Sequence, residues 1–241
     1  MPTYKIRYVS SFGTQRVEGS LWETLTSALV QHIDLLPPQE KVVGIGHSMG
    51  GILSLYAYYQ VPHRFEKIIL MDAPIFRPAK RFCLEFLQFL RLKHLLIPTA
   101  RKARRRQDYW SSRREAAEYL ALRPFFHSWE ASCFADYVEH ALIARGNGVN
   151  LRIPREIEYQ IFLSLPTRRL RKDKIRVPSY YIYADSHQSL SDSDIQACQK
   201  LFPEITFLPF PGGHMFPMEN PEKLAELLKK ILEKPNDDYG F

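Results

Sequence analysis

The stretch Val42-Val43-Gly44-Ile45-Gly46-His47-Ser48-Met49-Gly50-Gly51 constrains this chain more than any other part of it. An apolar strand pattern runs into Gly-x-Ser-x-Gly and then into a helix-forming stretch, Ile52 to Tyr59. A serine in that setting sits on a strained strand-to-helix turn, and small residues at Gly46 and Gly50 are expected to let the backbone double back and lift the hydroxyl above the sheet. The backbone N–H of Met49 would then point at the oxygen of a carbonyl attacked by Ser48, with the helix N-terminus adding a favourable field for the developing anion. A bare five-residue pattern also occurs as an ordinary Gly-rich turn. The strand before it, the helix after it and the second Gly argue for the sharper reading.

Periodicity divides the rest of the 241 residues into three parts. Over residues 1–76, apolar strands alternate with amphipathic helices: strand Tyr4 to Val9, helix Leu21 to Ile33, strand Val42 to Gly46, the helix after Ser48, and strand Lys67 to Met71. Strands separated by helical crossovers imply a parallel sheet. Over residues 77–172 the strand signal is lost, and the pattern predicts an all-helical cap, with helices near Phe82 to Ile97, Arg113 to Leu122 and Cys133 to Ala144. The alternating pattern returns over residues 173–241: strand Val177 to Tyr183, helix Asp192 to Phe202, strand Ile205 to Leu208, and a helix from Pro221 to Leu232 with Pro at its start.

The second catalytic candidate follows from this layout, because ligands of open α/β sheets bind beyond the carboxyl ends of the strands. Of the eight histidines, His214 in Phe210-Pro211-Gly212-Gly213-His214-Met215-Phe216 alone falls directly after the last strand and before the last helix. There its Nε2 could take the proton of Ser48 and return it to a leaving group. The partner acid has two candidates. Asp72 closes the strand after the elbow in Met71-Asp72-Ala73-Pro74 and is preferred; Asp185, in Ala184-Asp185-Ser186-His187, is the second, with loop bracing as its plainer role.

Composition narrows the classes. The net charge of +7 is concentrated in two runs, Arg101-Lys102 with Arg104-Arg105-Arg106, and Arg168-Arg169 with Arg171, Lys172 and Lys174. Neither carries the aromatic strands or groove-reading helices that turn basicity into nucleic-acid recognition, so a solvated basic face is expected, with a site for phosphate-bearing groups as the sharper alternative. The stripe Phe82, Phe86, Leu87, Phe89 and Leu90 is expected to pack, with an acyl-binding wall as its second reading. Uncharged runs stay short of the roughly 18 residues that span a bilayer, and Met1-Pro2-Thr3-Tyr4-Lys5 lacks a signal-peptide core, which predicts a cytoplasmic protein without an integral membrane segment. Cys83, Cys133 and Cys198 are widely spaced, match no metal pattern, and are expected to be reduced. No feature specifies an oligomeric interface.

The stretches GHSMGGILSL, FEKIILMDAP, RRRQDYWSSRREAAEYL, DYVEHAL and GGHMFPMENPEKLAELL, spread over nearly the whole chain, resemble the α/β-hydrolase superfamily, and within it bacterial Ser hydrolases with a helical cap. The resemblance implies a mostly parallel sheet with an inserted cap and a Ser nucleophile, and leaves the substrate open. Some thioesterases of this superfamily carry the acid about 24 residues beyond the Ser, the separation of Ser48 and Asp72 here. The family pattern also has an earlier strand and a loop that supplies a second oxyanion donor. Only 47 residues precede Ser48, so the resemblance implies that the N-terminal strands and that donor are missing, and three readings stay open: Phe12, or its neighbours Ser11 and Gly13, substitutes; the sequence starts too late against the family pattern; or the enzyme is weakened. Losing one such donor lowers turnover on the order of 10² to 10³.

Together these readings predict a serine hydrolase that cleaves a small-molecule carboxylic ester or thioester through an acyl-enzyme, with Ser48, His214 and Asp72 catalytic, Met49 and Phe12 at the oxyanion, and neither metal nor organic cofactor. A weakened or inactive scaffold that acts as a binding protein is the alternative. An acyl group on an anionic carrier such as coenzyme A is the substrate that the apolar stripe and the neighbouring basic run suggest.

Overall fold

The computed structural model describes residues 21–75, 97–164, 175–186 and 190–233. The expected strand Tyr4 to Val9, the oxyanion candidate Phe12 with Ser11 and Gly13, the stripe Phe82 to Leu90 and the second basic run lie outside the described residues. The chain forms two compact units, one drawn from Met1–Pro78, Pro166–Phe216 and Glu222–Phe241, the other from Ala79–Leu165 with Pro217–Pro221.

The first unit is built on a parallel sheet. Strands β1 (Val42–His47), β2 (Phe65–Met71), β6 (Ser179–Ala184) and β7 (Thr206–Phe210) lie in the order β1-β2-β6-β7, every neighbouring pair parallel. Parallel neighbours need a crossover, and helix α2 (Met49–Gln60) supplies the one between β1 and β2. Strand β2 is buried almost throughout, and its side chains alternate between two cores as the two-residue strand period requires. Ile68 and Leu70 join Tyr181 of β6 in a core with Ile52, Leu55 and Tyr56 of α2, Trp22 and Ile33 of α1 (Leu21–Asp34), and Ile195 and Cys198 of the helix Asp192–Leu201. Ile69 and Met71 join Tyr180 and Ile182 in a second core with Phe216, Leu224 and Ile231, the last two on the helix Pro221–Glu233.

Two buried cations tie helices to this sheet. The Arg64 guanidinium is shared among the carbonyl of Ile33, in the last turn of α1, and those of Leu36 and Pro37 just beyond it, at 3.0, 3.2 and 3.2 Å, and so ties down the exit from the helix. Lys67 of β2 donates from Nζ to the carbonyl of Ile231 at 2.7 Å.

The second unit departs from the all-helical expectation. Besides helices Pro98–Arg105, Arg113–Ala121, Ala131–His140 and Arg155–Leu163, it holds an antiparallel sheet of β3 (Tyr109–Trp110), β4 (Leu142–Arg145) and β5 (Gly148–Leu151) in the order β3-β5-β4. Residues Leu142 to Ala144, expected at the end of a helix, form β4 instead. The cause is the tight turn at Gly146-Asn147: Arg145 pairs with Gly148, and Gly146 adopts φ 56°, a hairpin geometry that favours Gly. Trp110, Leu120, Phe126, Leu142 and Leu151 form its core, with a smaller cluster of Ala100, Ala103 and Tyr159 between two helices. In the first basic run Arg101, Lys102, Arg104 and Arg105 are exposed, whereas Arg106 is half-buried, bonded to Glu158 at 2.9 Å and to the Tyr137 hydroxyl at 2.6 Å.

Candidate active site

The elbow residues meet at the end of β1. Ser48 follows the strand with φ 51° and ψ −120°, and α2 begins at the next residue. Its N–H donates to the carbonyl of Met71 at 2.8 Å, and its carbonyl accepts from Gly51 at 3.1 Å, so the turn is fixed from both sides. Sterics show which glycines the turn needs. A Cβ on Gly46 would stand 2.2 Å from the carbonyl oxygen of Gly50, and one on Gly51 would stand 2.7 Å from the Cβ of Ala73. Gly50 has open space around its missing Cβ, which corrects the expectation that this position must stay small: the close approach involves its backbone. Met49 is the first residue of α2, so its N–H is among the four amides that a helix start leaves without an intrahelical carbonyl.

The acid candidates separate cleanly. Asp72 follows β2, is 1% exposed, and has φ 43°. Its N–H donates to the Ile182 carbonyl at 2.8 Å, its Oδ1 accepts from the N–H of Ala184 at 3.3 Å, and its Oδ2 lies 2.6 Å from Nδ1 of His214. The chain just beyond it is held by the hydroxyl of Tyr181, which donates to the carbonyl of Ala73, and by the thiol of Cys198 at 3.5 Å from the carbonyl of Ile75. Asp185 instead accepts from the N–H of Gly212 at 3.1 Å, bracing the loop that carries His214.

His214 completes the arrangement from that loop, after β7. A carboxylate accepts, so Nδ1 of His214 carries the proton, and Nε2 is left as the acceptor for the Ser48 hydroxyl at 3.1 Å. The ring is about one-third exposed while its carboxylate partner is buried. One contributor to this geometry was missed in the sequence, although it stands inside the motif. His47 approaches the backbone oxygen of His214 to 2.7 Å with its Nε2, and its ring lies 4.8 Å from the His214 ring. Burial, and then the charge of His214, hold its pKa below the usual histidine range, against smaller opposing contributions from that hydrogen bond and from Asp72. Among the described residues no group of three or more His, Cys, Asp or Glu is placed to hold a metal ion, and no helix is long and apolar enough to cross a membrane.

A profile described as the alpha/beta hydrolase family matches residues 10–227. The chain belongs to that family. Solved structures of similar fold include a thioesterase domain from the curacin biosynthetic pathway, 20% identical, covering 88% of this chain and 73% of that one with a TM-score of 0.66. E-2-(acetamidomethylene)succinate hydrolase is 14% identical over 88% of this chain and 72% of that one, with a TM-score of 0.64. A thermophilic esterase from Thermogutta terrifontis is 19% identical over 92% of this chain and 76% of that one, with a TM-score of 0.56. Likeness at these identities carries the α/β-hydrolase fold alone. No curated protein matches the sequence.

Proposed function

We propose that this α/β-hydrolase is a serine hydrolase that cleaves a small-molecule carboxylic ester or thioester through an acyl-enzyme. The observation that carries the reading is the unbroken hydrogen-bonded path from the Ser48 hydroxyl through the His214 imidazole to the buried Asp72 carboxylate, at 3.1 and 2.6 Å. In the forward step Ser48 Oγ attacks the acyl carbon as its proton passes to Nε2 of His214. Asp72 stabilises the imidazolium and holds its tautomer, and the Met49 N–H with the positive end of α2 receives the oxyanion. Collapse expels the alcohol or thiol, which leaves with the proton from Nε2. Water then repeats the sequence on the acyl-Ser48, with His214 first as base and then as acid, and frees the carboxylic acid.

Labelling with a fluorophosphonate probe tests the activation of Ser48 without needing the natural substrate. The intact chain is expected to label, Ser48→Ala not at all, and His214→Ala more than about 10³-fold more slowly, since removal of either half of a nucleophile–base pair costs on the order of 10⁶ in turnover elsewhere. A folded chain that does not label would refute the reading and leave the fold as a binding scaffold.

A further inference from the structure

The residue just before Ser48 has no part in the proton transfers above, yet it touches the residue at their centre. His47 closes β1, and its Nε2 lies 2.7 Å from the backbone oxygen of His214, 167 residues further along the chain. A carbonyl only accepts, so Nε2 bears the proton, and in the neutral ring Nδ1 is bare. Burial and the neighbouring His214 favour that neutral form. The two imidazoles are 4.8 Å apart between centroids at a tilt of 40°, and Phe216 stands edge-on to His47 at 6.2 Å.

The loop that carries His214 is built on glycines. It reads Pro211-Gly212-Gly213, with Gly212 at φ 126°, and paired glycines impose little conformational preference of their own. Its main chain is held upstream by Asp185 on the Gly212 N–H and by the Ser186 N–H on the Gly212 carbonyl at 3.4 Å, and locally by the bond from the Phe216 N–H to the Gly213 carbonyl at 3.0 Å. The His214 side chain is one-third exposed, with its ring against that of His47. The carbonyl of His214 itself is met by His47, which is anchored in turn on the strand that delivers Ser48. One rigid element thus carries the nucleophile and also holds the backbone of its base.

We propose that His47 is a positioning residue: by donating Nε2–H to the His214 carbonyl, it fixes the main chain from which the His214 imidazole reaches between Ser48 and Asp72. The inference rests on the reading of those three residues as the proton-transfer path. A misplacement of about 1 Å in such a path lowers rates on the order of 10²-fold.

Two substitutions separate donation from packing. His47→Phe keeps a ring against Phe216 and has no donor, whereas His47→Gln gives up the ring and keeps an N–H of similar reach. Labelling by the fluorophosphonate probe, and kcat on a p-nitrophenyl ester, are expected to fall about 10- to 100-fold in the Phe variant and to return to within a few-fold in the Gln variant, with KM little changed in both. The reverse order, equal impairment of both variants, or wild-type rates in the Phe variant would overturn the proposal. If the Phe variant does not fold, His47→Leu takes its place. The low-field proton resonance of His214 Nδ1–H, held on Asp72, reads the same geometry without turnover. It is expected to persist in the Gln variant and to broaden or vanish in the Phe variant; an unchanged line in the Phe variant overturns the proposal. An intact chain that shows this NMR pattern but never labels would refute the hydrolase reading and leave the positioning contact standing.

Discussion

Ser48 and Asp72 directly follow two neighbouring parallel strands, and both are held at positive φ, 51° and 43°, a region that no other non-glycine residue enters among the described residues. The strands stop level with each other, His47 paired with Met71, and the Ser48 amide donates to the Met71 carbonyl. At both positions the chain must leave the sheet at once if the side chain is to stand at its carboxyl edge. Each such conformation costs on the order of 1–3 kcal/mol and persists only where surrounding contacts over-determine it. Here those contacts are the backbone bonds of Ser48 to Met71 and of Asp72 to Ile182, together with the Gly46–Gly50 approach behind the turn.

The Asp72 carboxylate has one oxygen on His214 and the other on the Ala184 amide, so exchanging it for an amide disturbs tautomer more than fold. Asp72→Asn is expected to lower kcat/KM on the order of 10³- to 10⁴-fold, the loss seen when a triad carboxylate is made an amide. Asp185→Asn retains an oxygen that can accept from Gly212 and is expected to stay within about tenfold of the parent, because it acts on the loop and not on the ring. Steady-state kinetics of the two variants side by side check the assignment. Equal losses would shift the acid role away from Asp72.

The glycines of the elbow are expected to differ sharply from one another. Gly50→Ala meets open space and replaces a helical Gly, so it should fold with unchanged or slightly raised stability, by up to about 1 kcal/mol. Gly46→Ala must displace backbone atoms 2.2–2.4 Å away, and Gly51→Ala the Cβ of Ala73, so each should cost at least about 1–3 kcal/mol and reduce probe labelling by dislodging Ser48. Thermal melting and labelling rates measured on the three variants check the order.

How much of this was legible in the sequence depended on whether the signal was local. Ser48 and His214 could be picked out as candidates because a strand, a tight turn and a helix leave their marks within a dozen residues. Asp72 could be ranked but not fixed over Asp185, since the choice turns on which carboxylate reaches a loop 142 residues from Asp72. His47 was passed over for the same reason, its partner being the backbone of that distant loop. The small sheet of the second unit escaped because strands of two and four residues are too short to show a period. The Gly146-Asn147-Gly148 sequence was the available clue. Gly50 was over-read, because a motif marks where glycine recurs and not which Cβ would collide.

Arg64 is expected to matter for stability alone. It is 5% exposed, and its guanidinium is the partner of the buried carbonyl of Ile33 in the last turn of α1 and of those of Leu36 and Pro37 just beyond it, so Arg64→Met would remove their shared charged donor. A hydrogen bond to a charged group contributes about 1.5–3 kcal/mol, and the Ile33 and Pro37 carbonyls keep the backbone N–H groups of Leu36 and Glu40 as donors, so a loss of about 1.5–3 kcal/mol is expected in urea unfolding. The ion pair to Asp34 at 3.9 Å reaches a largely exposed carboxylate and adds little. Labelling per folded molecule should not change; a selective loss of labelling would place Arg64 in the site's support.

Alkaline pH offers a test of the interior beside Asp72. Burial, and then the charge of Asp194, push the Cys198 thiol from 9.0 up to about 12, and burial raises the Tyr181 phenol well above 10.0. Both groups are neutral when protonated, so above their ordinary values the unfolded chain loses protons that the folded chain keeps. Stability is therefore complete below about pH 9 and falls as pH rises, by up to about 1.4 kcal/mol per pH unit for each group that is ionised only when unfolded. Urea midpoints across that range should show the decline beginning near pH 9. Cys198→Ala should remove its earlier part, and Tyr181→Phe the part beyond pH 10, at a baseline loss of about 1 kcal/mol for the bond to Ala73. At pH 8 a thiol reagent should leave Cys198 unmodified in the folded chain while Cys133, which is only partly buried, reacts. Rapid modification of Cys198 without unfolding would contradict the packing that holds the segment after Asp72.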